Sequence, residues 1–239
     1  MTCRYEGEDF TRLCGKEIKG LKIALIDEFI KLCTPETAAL IDEAAKVYES
    51  MGAELVHCSM PSLKFAVSGY YIISSAEAAS NLARFDGVRY GCAVNNTEIY
   101  DELIKASRAE GFGDEVKKRI LLGNYVLTAQ VYNKYYHKAL KMRNLIKNEY
   151  KSIFEKCSCV LGPVTPSGAV LEGAQIGDAS YYESDVFTVC ANLAGLPSVS
   201  VPCGNYKNGM PAGMCITGPE LSESLLISLA DAYERGCGI

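Results

Sequence analysis

Apolar positions along this chain switch between a period near two and a period near 3.6, and the switches mark its elements. GLKIALID (20–27) is a short apolar run of the kind that forms a buried strand. Thr34-Pro35 then reads as a helix start, with threonine as N-cap and proline at the first helical position. Leu40, Ile41, Ala44, Val47, Tyr48 and Met51 recur at helical spacing, and Gly52 closes the segment. AELVHCSM (53–60) returns to strand. This β-α-β order implies a parallel or mixed sheet covered by helices.

From about Ser62 to Tyr150 the pattern is almost all helical. One apolar stripe runs through Leu63, Val67 and Ile73, and a polar line runs through Tyr70, Ser74, Glu77 and Asn81. DELIKASRAEG (101–111) predicts a further short helix. Beyond Gly113 a long helical tract reaches Cys157, with a break expected near Gly123-Asn124 or within 128–131. CVLGPV (159–164) reads as a strand and TPSGAVLEGAQIG (165–177) as a loop. PSVSVPCG (197–204) and AGMCITG (212–218) are two strands joined by NYKNGMP, whose Asn208-Gly209 is a strong turn signal. LSESLLISLADAYERG (221–236) closes as an amphipathic helix. No repeat, low-complexity segment or linker interrupts the pattern. The expected architecture is α/β, a mixed β-sheet between helical layers with a helical insertion, in one domain over 1–239.

Composition narrows the function classes. The 239 residues are 49% hydrophobic and 22% charged, as in an ordinary globular protein. No apolar run approaches the roughly 20 residues that cross a bilayer. MTCRYEGEDF at the start has neither an apolar core nor a cleavage site of a secretory leader, which predicts a cytoplasmic protein. A net charge of −5 argues against a whole-surface grip on nucleic acid by counterion release. The 11 cysteines are odd in number and sit mostly among apolar residues, which suits a reducing compartment. Only Cys157 and Cys159 are close, and no Cys or His follows at zinc-ligand spacing, so neither a metal nor another cofactor is expected in this chain.

The chain is poor in catalytic candidates. Its two histidines are His57, in a strand pattern, and His137, on a lysine-rich helix. No G-x-S-x-G, S-x-x-K or phosphate-binding glycine motif is present. Two residues read instead as binding groups. Arg119, in GDEVKKRILLGNYV, is followed directly by Ile120, Leu121 and Leu122, and its planar guanidinium suits a carboxylate. The plainer account pairs it with Glu115, one turn earlier. Asp185 precedes a nearly apolar stretch, VFTVCANLAGLP, that holds no lysine or arginine. It either points to solvent at a helix start or faces a pocket where a ligand supplies the positive charge. Together, an arginine for a carboxylate and an aspartate for an ammonium describe a site for a free amino acid. The lysine and arginine rows Lys134, Lys138, Lys141 and Arg143, Lys147, Lys151 read either as a solvated face or as a contact for a partner subunit or tRNA.

Several blocks carry a family resemblance. YYIISSAEAASNLARFDGVRYG (70–91), RAEGFGDEVKKRILLGNYVL (108–127), YNKYYHKALKMRNLIK (132–147) and NLAGLPSVSVPCG (192–204) resemble the A subunits of glutamyl-tRNA(Gln) amidotransferases, a branch of the amidase-signature family. GKEIKGLKIAL (15–25) and GMPAGMCITG (209–218) fit the same pattern. The resemblance implies a glutaminase subunit. It passes ammonia to a B subunit, which uses ATP and Mg to convert Glu-tRNA(Gln) to Gln-tRNA(Gln), while a C subunit clamps the two. Glutamine and the B and C subunits are then the expected partners, with tRNA met only through the complex and no membrane.

The family's serine nucleophile, its second serine and its lysine lie in a Gly/Ser-rich signature with no counterpart here. The resemblance therefore implies the C-terminal portion of the enzyme domain, carrying substrate contacts without the catalytic groups and inactive alone. The alternative is a non-catalytic amino-acid-binding or subunit-interaction module derived from an amidase. Residue by residue, Arg119 matches the arginine that holds the substrate α-carboxylate, Asp185 the aspartate that receives its α-ammonium, and Tyr70 a tyrosine lining the pocket. Cys215 stands where the family usually has glutamine, and VTPSG (164–168) departs from its usual T-A-P-T-T run.

Overall fold

The computed structural model describes residue 7 and residues 9–94, 99–173 and 184–237. In chain order its elements are β1 (Lys22–Ile26), α1 (Asp27–Leu32), α2 (Pro35–Ser50), β2 (Glu54–Cys58), a 3₁₀ turn (Pro61–Phe65), α3 (Ala66–Leu82), α4 (Tyr100–Gly111), α5 (Asp114–Val126), α6 (Tyr136–Phe154), β3 (Cys159–Pro163), α7 (Thr188–Ala194), β4 (Ser198–Asn205), β5 (Pro211–Thr217) and α8 (Glu223–Cys237). They form two compact units, one of residues 1–67 with 144–239 and one of residues 68–143. Part of the expected 165–177 loop, from residue 174 on, lies outside the described residues.

The first unit is built on a mixed five-stranded sheet in the order β2-β1-β3-β5-β4. β2, β1 and β3 run parallel, with Ile23 level with both Leu55 and Cys159. β3-β5 and β5-β4 are antiparallel. Period-two alternation places Ile23, Leu25, Leu161, Met214 and Ile216 in one core with Ile41 and Tyr48 of α2 and Leu229 and Tyr233 of α8. The Tyr48 hydroxyl is buried there and donates to the Leu229 carbonyl at 3.0 Å, so burying the phenol leaves no polar atom unsatisfied. The intervening strand residues Ala24, Ile26 and Val160 are equally buried. On that side the Phe29 ring lies 5.0 Å from Phe187, and a Cβ on Gly162 would come within 2.7 Å of Phe29. Central strands buried on both faces explain why GLKIALID and CVLGPV read as continuous apolar runs.

Local chemistry fixes the ends of these elements as the sequence predicts. Thr34 Oγ1 accepts from the Thr37 amide at 3.3 Å, with Pro35 in the first turn of α2. Gly209 takes φ +83° in the turn between β4 and β5, a left-handed value that glycine adopts without strain. The Asn208 side chain accepts from the Met210 amide beside it.

The second unit is helical, and α3 and α5 approach closely in it. A Cβ on Gly123 would lie 2.0 Å from the Ser75 carbonyl oxygen and 2.7 Å from the Ala79 methyl. Gly123 is therefore not the break that the sequence predicts near 123–124. It is the contact point of two helices, and α5 runs through it to Val126. The chain turns at the other expected place, 128–131, within a stretch of turns over residues 127–135, where the Thr128 hydroxyl donates to the Tyr125 carbonyl at 2.8 Å. Between α3 and α4 the buried Asp86 carboxylate accepts from the amides of Val88 and Arg89 at 2.9 and 2.8 Å. Those amides, with the Arg89 side chain, hold its pKa well below the usual carboxylate range.

Gly123→Ala tests the α3–α5 contact. In an open helix this change stabilises by about 0.5–1 kcal/mol. Here the added methyl meets backbone, and the expected result is destabilisation of about 1–3 kcal/mol in urea unfolding. A neutral or stabilised variant would contradict the close approach.

Candidate functional site

The close contact at Gly123 has a consequence one helical turn away. Arg119 precedes Gly123 by four residues, and Tyr70 and Tyr71 precede Ser75 by five and four. The two tyrosines thereby come beside the arginine. The Arg119 guanidinium lies 5.1 Å from the centre of the Tyr71 ring, and the Tyr70 hydroxyl is close enough to act on its charge. The two rings meet edge to face at 5.3 Å. From its own helix, Glu115 accepts from Arg119 Nε at 3.0 Å. The arginine side chain is 28% exposed. Burial works against its charge, but Glu115 and the two tyrosines outweigh that and raise its pKa above the ordinary arginine value.

This arrangement fixes the plane of the guanidinium without using all of it. Glu115 engages the Nε edge and Tyr70 also bonds to the group, and a guanidinium has five N–H donors, of which those not so engaged suit a carboxylate. The pairing with Glu115 anticipated in the sequence is present, and it orients the group. Sequence reasoning missed Tyr71. The signal was the Tyr70-Tyr71 doublet: adjacent residues on a helix differ by 100°, so two broad faces of one turn are aromatic.

Asp185 lies in the first unit, in the turn that leads into α7. Its carbonyl accepts from the Val189 amide at 3.0 Å and from the Thr188 hydroxyl at 3.1 Å, which begins the helix. The residues around it in sequence, Val186, Phe187, Val189 and Cys190, are buried. Asp185 itself is partly buried, and among the described residues its carboxylate has no hydrogen bond or ion pair. A carboxylate half withdrawn from water with no cation beside it is an acceptor for a positively charged group. Tyr70 and Arg119 are thus brought together within the second unit, while Asp185 belongs to the first.

The positions that depart from the family pattern make local contacts. Cys215 Sγ is 3.9 Å from the Thr217 hydroxyl, which bonds in turn with Ser198 at 2.9 Å. Thr165 Oγ1 donates to the Ser167 carbonyl at 2.8 Å, so that loop turns its hydroxyl onto its own backbone.

Two clefts open on the first unit. One, of about 620 Å³, borders Thr34, Ser167, Tyr206 and Lys207; the other, of about 500 Å³, borders His57, Cys58, Glu149 and Ser152. Neither is lined by Tyr70, Arg119 or Asp185. The exposed His57 ring pairs through Nδ1 with Asp27 at 2.8 Å, and Ser59 donates to Glu28. Burial pushes the thiols of Cys159 and Cys190 up to about 12 and those of Cys33 and Cys203 up to about 11, far from an activated nucleophile. Among the described residues no group of three or more His, Cys, Asp or Glu is placed to hold a metal ion, and no helix is long and apolar enough to cross a membrane.

A family model described as Amidase matches residues 2–227. The chain is 43% identical over 234 residues to the A subunit of glutamyl-tRNA(Gln) amidotransferase from Caldanaerobacter subterraneus subsp. tengcongensis, a match covering 97% of this chain and 48% of the relative. It is 44% identical over 229 residues to the corresponding protein of Macrococcus caseolyticus, covering 95% and 47%. It thus spans about half the length of these relatives. The crystal structure of the corresponding Thermotoga maritima protein superposes with a TM-score of 0.69 at 31% identity, over 92% of this chain and 43% of that one. A 6-aminohexanoate cyclic dimer hydrolase shares the fold at 15% identity, with a TM-score of 0.70 over 98% and 49%.

The buried thiols lead to a test. At neutral pH their raised pKa values leave almost no thiolate, so iodoacetamide should modify the exposed Cys92 and spare Cys159 and Cys190 until denaturant is added. Peptide mapping that finds either buried cysteine alkylated in the folded protein would contradict this burial.

Proposed function

The chain belongs to the amidase family, and we propose that it is the substrate-holding portion of the glutaminase component of a tRNA-dependent amidotransferase. The observation that carries this reading is the Arg119 guanidinium, held by Glu115, Tyr70 and Tyr71, in a chain 43–44% identical to A subunits of that enzyme. Arg119 takes the α-carboxylate of glutamine through paired charge-assisted hydrogen bonds. Tyr70 lines the pocket beside it. Asp185, whose carboxylate lacks a partner among the described residues, receives the α-ammonium. Gripping both charged ends of the amino acid leaves its side-chain amide to be presented for attack.

The attack itself falls outside these residues. The sequence as given has no Gly/Ser-rich signature, and among the described residues Cys157, Cys159, Cys190 and Cys203 are buried. In this reading a serine nucleophile, relayed through a second serine to a lysine, completes the site from the rest of the glutaminase. The released ammonia passes to a B subunit that activates Glu-tRNA(Gln) with ATP, with a C subunit joining the assembly, and the site of action is the cytoplasm. The 239 residues alone bind glutamine without hydrolysing it.

Calorimetry with glutamine, paired with an ammonia assay, tests this. The wild-type chain should bind glutamine and release no ammonia above a heat-killed control. Arg119→Ala should weaken binding by about 30-fold or more, corresponding to roughly 2 kcal/mol for a lost charge-assisted pair. Equal affinity in the variant, or turnover by the isolated chain, would overturn the assignment.

A further inference from the structure

Charge is not spread evenly along this acidic chain. Between Glu115 and Glu149 it has eight lysines and arginines and no carboxylate, against a net charge of −5 for the whole. The same span holds four tyrosines. Within the second unit several of these side chains touch one another. The Tyr125 and Tyr135 rings lie 6.1 Å apart, Tyr132 and Tyr136 5.3 Å apart, and Lys134 Nζ stands 5.3 Å from the Tyr135 ring centre. Lys138 and Lys141 are one turn apart on α6, and Lys134 lies in the turn just before that helix. Tyr125 and Tyr132 are 52% and 38% exposed.

Lys22 pairs with Glu54, Lys46 with Asp42 and, later in the same span, Lys147 with Glu220. Lys134, Lys138 and Lys141 are exposed, and none has an ion pair among the described residues. Three exposed lysines without an ion pair among the described residues and two open aromatic rings, all within residues 125–141, match a strand that carries phosphates and flat bases together. An acidic polypeptide would answer the lysines and leave the rings uncovered.

We propose that this stretch, Lys134, Lys138 and Lys141 with Tyr125 and Tyr132, binds RNA, the lysines meeting backbone phosphates and the rings stacking on unpaired bases. The chain's overall negative charge does not oppose this, because a local basic surface acts within a Debye length of about 8–10 Å at physiological salt. The inference goes beyond the glutaminase reading and does not use the Arg119 site, which glutamine calorimetry reads separately.

Fluorescence anisotropy of the full chain with a labelled single-stranded RNA of about 20 nucleotides, and with a tRNA transcript, tests it across roughly 50–200 mM salt. Lys134→Glu/Lys138→Glu/Lys141→Glu should weaken binding by at least about tenfold and lower the slope of log K against log salt by about 2. Tyr125→Ala/Tyr132→Ala should weaken single-strand binding about fivefold or more and leave the salt slope unchanged. Lys16→Glu/Lys31→Glu/Lys207→Glu, an equal change of charge elsewhere, should bind as wild type. Melting curves check folding, and if the triple reversal unfolds, the milder Lys→Gln triple takes its place with the same direction of effect. No binding by the wild type, undiminished binding by the lysine variant, or binding of polyglutamate with none of RNA would overturn the proposal; the last result would make the stretch a dock for an acidic protein.

Discussion

The position of one guanidinium governs the functional account, and a helix contact sets that position. Because position 123 has no side chain, α5 rests on the Ser75 carbonyl of α3. One turn back, that closeness brings Arg119 against Tyr70 and Tyr71. Glu115 then fixes the last degree of freedom by taking the Nε edge. A long, flexible side chain becomes a rigid fork at little further entropic loss, which is what selective binding of a planar anion requires. Without the close approach, Arg119 would be a solvated cation on a helix surface.

Much of the fold was legible in the sequence because single residues there have one physical use. Thr34-Pro35 starts a helix, and Asn208-Gly209 turns a hairpin. The apolar runs at 22–26 and 159–163 announce strands covered on both faces. Gly123 shows where that legibility ends. A glycine in a helical pattern signals either a break or a close contact, and only the identity of the partner, the Ser75 backbone, decides which. The turn over 127–135 falls at the second expected break, 128–131, and the Thr128 hydroxyl there bonds back to the Tyr125 carbonyl.

The site was legible in part for the same reason. Arg119 stood out as a guanidinium before an apolar triplet, and its i−4 partner Glu115 was visible from spacing alone. The Tyr71 ring was not, since its role depends on which face of α3 meets α5. Asp185 was marked in the sequence by the absence of a nearby lysine or arginine. In the first unit its carboxylate still has no cation among the described residues, and the absence itself is the informative feature.

The central proposal is that Arg119 takes the α-carboxylate of glutamine and Asp185 its α-ammonium. A ligand series measured by calorimetry on wild type and two variants tests it most directly, using glutamine, glutaminamide without the α-carboxylate, and N-acetylglutamine without the α-ammonium. The account predicts that wild type prefers glutamine to both blocked ligands. Arg119→Ala should lose only the preference over glutaminamide, and Asp185→Asn only the preference over N-acetylglutamine. Either variant keeping the preference it should lose would contradict the account.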